Sequence, residues 1–160
     1  MEFLAGVIGA LVGGLVTYFG QRVESGRVSR KLTAQSLVQT WHSSEMVRAR
    51  VQGYETLVKN VESNNVQSFD RLAVSLINDD RVDEWIEASK VIHFLGLVAV
   101  MFSANEVDRH MIKKCMAVDI LFWYSKLLLP ISEVSIGVDD PSEISWFNEV
   151  ERLAIEIKKI

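Results

Sequence analysis

Residues 3–20, FLAGVIGALVGGLVTYFG, carry no charged side chain and are followed at once by Arg22, Arg27, Arg30 and Lys31. Eighteen residues at helical rise reach roughly 27 Å, close to the roughly 30 Å hydrocarbon core of a bilayer. The run therefore predicts a transmembrane anchor over residues 1–20. A cleaved signal peptide fits less well, because it would open on a basic segment and close on small residues, whereas this run starts after Met1 and Glu2 and closes on Tyr18 and Phe19. Aromatic residues at the water boundary followed by arginines mark an uncleaved anchor whose basic side is cytoplasmic, which places the N-terminus outside and the body inside.

The small residues of the anchor share a face. At 100° per residue, Gly6, Gly9, Ala10, Gly13, Gly14, Thr17 and Gly20 fall within an arc of about 140°, with Leu4, Ile8, Leu11, Leu15 and Phe19 opposite. In lipid no hydrophobic effect draws helices together, so close backbone approach at small residues is the main route to packing. Self-association through Gly6, Gly9, Ala10, Gly13, Gly14 and Thr17 is expected, giving a homo-oligomer.

Charge separates the collar from the body. Four of the 17 basic residues and two of the 21 acidic ones precede position 32, so the rest of the chain carries a formal charge of about −6. That balance removes the electrostatic footing for nucleic-acid binding. Arg22, Arg27, Arg30 and Lys31 instead suit the anionic headgroups of an inner leaflet, and membrane lipid is the expected partner there. The single cysteine, Cys115, excludes an internal disulfide.

Beyond the collar the periodicity is helical throughout. Residues 21–42 read as a helical stalk, and Trp41-His42-Ser43-Ser44 as a break from which a serine caps a helix running to about Val61. Val47, Val51, Tyr54, Val58 and Val61 recur at helical spacing and predict its core stripe. Ser68 caps a short helix through Ile77. The next, Val82 to Ser103, is expected to turn Val82, Trp85, Ile86, Ser89, Ile92 and His93 inward and Glu84, Glu87 and Lys90 outward. Its second half is apolar all round, which marks the centre of a bundle. A further helix starts at Asp108 or Glu106 and is expected to stop at Pro130. Asp140-Pro141 opens a last helix with Trp146, Phe147, Val150, Leu153, Ala154 and Ile157 on one face. No strand of convincing alternation appears. The predicted fold is all-α: an anchor (1–20), a collar (21–42) and a cytoplasmic bundle of about five helices (43–160).

No phosphate loop, dinucleotide fingerprint, nucleophile elbow or zinc spacing occurs, and no cofactor, metal or catalytic activity is expected. His42, His93 and His110 lie in three separate segments. His93 and Cys115 read as core residues, and Phe122 and Trp123 as packing aromatics. Asp119 interrupts one apolar face and Arg50 another. A charge buried alone is costly, so the two are expected to form a buried ion pair.

The order WHSSEMVRARVQGYETL, VIHFLGLVAVMFS, FWYSKLLLPI and WFNEV, behind an N-terminal anchor, resembles an uncharacterised family of small bacterial membrane-anchored helical proteins. The resemblance implies a bacterial inner-membrane setting and an all-α body, and it supplies no activity. The expected role is an interaction or scaffolding module facing the cytoplasm and open to a protein partner. The alternative is a membrane effector, of phage-defence or toxin type, acting through oligomerised anchors.

Overall fold

A computed structural model describes residues 24–63, 65–135 and 141–159, and every element among them is helical. Helix α1 covers residues 24–41, followed by α2 (Ser44–Val61), α3 (Phe69–Asn78), α4 (Val82–Ser103), α5 (Arg109–Trp123), α6 (Leu129–Ser135) and α7 (Pro141–Lys158). The predicted anchor, with Gly6, Gly9, Ala10, Gly13, Gly14 and Thr17, lies outside the described residues, as does Arg22.

Short polar side chains set the helix starts. Ser43 accepts the Met46 amide at 3.2 Å, Ser68 the Arg71 amide at 3.5 Å, and Asp108 the Met111 amide at 3.0 Å, each satisfying a donor the first turn leaves unpaired. Two helices are followed by left-handed residues, Asp80 and Asn105, both at φ 59°. Asp and Asn tolerate that conformation better than other residues with a side chain.

Helix α4 is the centre of the body, packed between α2 and α7 with α3 alongside. Ala88, Val91, Leu95, Val98 and Ala99 on it are fully buried. Among the described residues two helical stretches, Val82–Ser103 and Arg109–Val134, are long and apolar enough to cross a membrane. Helices α2 and α7 cover one side of α4, where Val91, Leu95, Val98 and Ala99 are buried, while Leu97 and Val100 in its apolar half stay about half exposed.

Four expectations need correction. First, α1 is more than a stalk: Ala34, Leu37 and Trp41 are buried in the common core, and the Asp108 amide donates to the Arg30 carbonyl at 3.1 Å. Second, α2 packs only the far end of its predicted stripe, Val58 and Val61, partly buried against the core. Val47, Val51 and Tyr54 are exposed, and Met46, Ala49, Gly53 and Leu57 face inward instead. Small residues decide this, because at Gly53 the α2 backbone lies against the backbone of Ala88 and Glu87. Third, the same approach turns α4, so that Glu87 is buried while Ile86 and His93 are exposed. Fourth, the chain does not stop at Pro130. A widened turn over Tyr124–Leu128, with the Leu129 amide reaching back to the Tyr124 carbonyl, precedes the proline, and α6 continues to Ser135. Pro130 has no amide to donate, and a wider i→i+5 turn just ahead of it leaves room for its ring.

Candidate functional site

The break after α1 brings Trp41 against α5. Its indole Nε1–H donates to Asp119 Oδ2 at 2.7 Å, a short bond because the acceptor is charged. The Trp41 ring is fully buried and stacks on Phe94, with centroids 5.4 Å apart. From α2, the Arg50 guanidinium sits 4.4 Å from the centroid of the same ring. Arg50 Nη1 lies 3.8 Å from Asp119 Oδ2, an ionic contact too long for a hydrogen bond.

Arg50 and Asp119 thus meet, but not in the buried pair expected from their positions. The Asp119 side chain is 37% exposed and that of Arg50 20%. Water reaches the pair because it forms the floor of a groove between α2 and α5. Trp41 is the member that residue spacing alone did not identify. The available signal was that a tryptophan at a helix break, once buried, needs an acceptor for its N–H.

The groove has a volume of about 430 Å³, and Val47, Val51, Tyr54, Phe122 and Trp123 line it around the Arg50 and Asp119 floor. Tyr54 and Phe122 pack against each other at its edge as a tilted aromatic pair, ring centroids 5.8 Å apart. Val51 is 57% exposed and Phe122 41%, so Phe122 is a wall of the groove while Trp123 is buried beneath it. Val118, one residue before Asp119 on α5, is almost fully exposed.

A second cleft, between α2 and α4, is polar. Glu87 is buried there, its Oε1 accepting from Arg48 Nη2 at 3.0 Å and Lys90 Nζ at 3.2 Å, while its Oε2 has no partner. Burial pushes this carboxyl up, but the hydrogen bonds and charges of Arg48 and Lys90 outweigh burial and hold it below the ordinary glutamate value of 4.5. With the folded value below the unfolded one, the contribution of Glu87 is complete above pH 4.5 and is lost as pH falls through the folded value. Glu84 adds to the same acid limb, its carboxyl lowered by the hydrogen bond from Arg81 against the opposing effect of burial. Glu87→Gln should therefore lose less stability than the parent as pH falls below 4.5, measured as melting temperature against pH. Parallel acid limbs for the two proteins would show that the Arg48–Glu87–Lys90 cluster does not act in this way.

Arg27, Arg30 and Lys31 sit on the first described turns of α1, facing the α4–α5 turn. His42, His93, His110 and Cys115 are all exposed, so His93 and Cys115 are not the core residues their spacing suggested. Both outcomes reflect the rotated packing: each helix buries the residues beside them, Ile92 and Met116. Among the described residues no three metal-ligating side chains converge.

No family model, curated protein or solved structure matches the chain.

Proposed function

We propose that the chain is a single-pass protein of a bacterial inner membrane, N-terminus outside, whose helical body is an interaction module gathered into homo-oligomers by the small-residue face of its anchor. The observation that carries this reading is the groove. It exposes Val47, Val51, Tyr54 and Phe122 together, beside an arginine and an aspartate fixed by a buried tryptophan. Isolated exposed apolar residues are ordinary, whereas a contiguous set around a fixed charge pair fits a protein contact. Its occupant in this reading is a second copy of the body. Anchors held together raise the local concentration of their bodies enough for a modest groove to add a second contact.

The test uses the full chain in a membrane two-hybrid assay. Gly9→Leu and Gly13→Leu are expected to reduce self-association and Leu11→Ile to leave it intact, since only the first two obstruct backbone approach. Val51→Glu is expected to give an intermediate loss. Equal association for the parent, Gly9→Leu, Gly13→Leu and Leu11→Ile would end the proposal.

Orientation is tested separately. With Cys115 replaced by serine and a cysteine introduced next to Ile160, a membrane-impermeant thiol reagent should label the protein only after the cells are opened. Labelling in intact cells with a permeabilised outer membrane would reverse the topology.

A further inference from the structure

We propose that the opening between α1 and the α4–α5 turn is a binding site for a phosphate-bearing anion, and that at the membrane this anion is the headgroup of an acidic phospholipid. The lipid assignment rests on the single-pass reading, but the phosphate chemistry does not. The opening has a volume of about 410 Å³, and four cations, Arg27, Arg30, Lys31 and Arg109, line it against one carboxylate, Asp108. That carboxylate is already engaged, its Oδ1 capping α5 through the Met111 amide at 3.0 Å. None of the four cations enters the ion pairs found among the described residues. So close a set of cations stands out in a chain whose formal net charge is −4.

The two walls are held together rather than merely adjacent. The Asp108 amide donates to the Arg30 carbonyl at 3.1 Å, joining α1 to the start of α5. Arg30 Nε is held by the Gly26 carbonyl at 3.2 Å and Arg109 Nε by the Phe102 carbonyl at 3.1 Å. Each guanidinium is thereby positioned; Arg109 Nη2 also donates to the Ser103 carbonyl at 3.5 Å, its other terminal N–H groups remain for a ligand, and the planar fork of arginine matches the oxygens of a phosphate. Val28 at the rim and Val107 beneath add apolar lining, which suits the glycerol end of a lipid better than a free ion. Position agrees: Arg27 to Lys31 lie seven to eleven residues past Gly20, close enough along the chain for long basic side chains to reach the headgroup layer. Arg109 is the informative member. It lies far along the sequence from the collar, so a diffuse basic collar gives it no role whereas a built site requires it.

The experiment uses the full chain in mild detergent, with retained phosphatidylglycerol and phosphatidylcholine measured by native mass spectrometry. The parent is expected to retain phosphatidylglycerol selectively. Arg109→Gln should weaken retention about fivefold, and Arg27→Gln with Lys31→Gln by about that factor for each cation removed. Lys114→Gln, an exposed cation further along α5, should leave it unchanged. Arg109→Lys, which keeps the charge, should retain lipid, and the α1 double variant decides the matter if Arg109→Gln fails to fold. Equal losses for Arg109→Gln and Lys114→Gln would reduce the effect to general charge attraction and overturn the site, leaving the single-pass reading untouched. Binding of glycerol 3-phosphate with no lipid preference would uphold the phosphate chemistry and overturn the lipid source. Recovery of the protein in the soluble fraction would remove the single-pass reading, and glycerol 3-phosphate binding that Arg109→Gln abolishes would still uphold the site. Retention of neither lipid nor glycerol 3-phosphate would overturn the proposal.

Discussion

Gly53→Val is expected to destabilise the body by about 3 kcal/mol, near the upper end of what overpacking a well-packed interface costs. A Cβ at Gly53 would stand 2.9 Å from Ala88 Cα and 3.3 Å from the Ala88 nitrogen and the Glu87 carbonyl oxygen. All three are backbone atoms, so no side chain can swing aside and α2 must lift from α4. Lifting it loosens the burial of Ala49, Leu57, Ala88 and Val91 together. Gly53→Ala meets the same contact but gains up to about 1 kcal/mol of helix propensity, so its net loss should be smaller. Adding Ala88→Gly should rescue neither variant, because the obstructing atom is the α-carbon. Thermal unfolding followed by circular dichroism checks the series, and a Gly53→Val melting temperature equal to that of the parent would refute the close approach.

Trp41→Ala is expected to cost about 3–5 kcal/mol, the range for truncating a buried aromatic. It removes the residue that fastens the end of α1 to α4 and α5, and it takes the indole donor from Asp119 and the ring from Arg50. Trp41→Phe separates these effects: much of the apolar surface stays and the donor goes, for about 1–2 kcal/mol. Asp119→Ala should fall at about 1–3 kcal/mol rather than the 3–5 of a stranded buried charge, because Arg50 keeps its ring contact and partial access to water. A double-mutant cycle on Trp41→Phe and Asp119→Ala measures the bond between them. Strict additivity would mean that the 2.7 Å contact adds no stability.

Local signals in the sequence were reliable where one residue decides the outcome. Ser43, Ser68 and Asp108 begin helices where short polar side chains should, and the apolar second half of α4 lies at the centre. Where two helices must agree, the periodicity of one helix alone misled. The valines of α2 form a regular stripe, but Ala49 and Gly53 allow α4 a closer approach than Val47 and Val51 would, and the small face is buried. That rotation exposes a groove no periodicity announces and buries Glu87, which reads as a surface residue until Arg48 and Lys90 are seen around it. The pairing of Arg50 with Asp119 was legible because each charge interrupts an apolar face. Its degree of exposure was not, since that depends on how α2 and α5 meet around the pair.

The hydrogen bond between the Asp108 amide and the Arg30 carbonyl has a mechanical meaning on the proposed topology. On that topology α1 is the first described element after the predicted anchor. Since α1 is itself a wall of the bundle, any pull on its N-terminal end is carried into the core through Ala34, Leu37 and Trp41 rather than taken up by a loose tether. The cation-lined opening lies towards that end of α1 and the groove beside Trp41 at the other, roughly 17–21 Å apart, the length of α1 from Arg30 or Arg27 to Trp41. A ligand at the opening and a partner in the groove would thus load the same helix from its two ends.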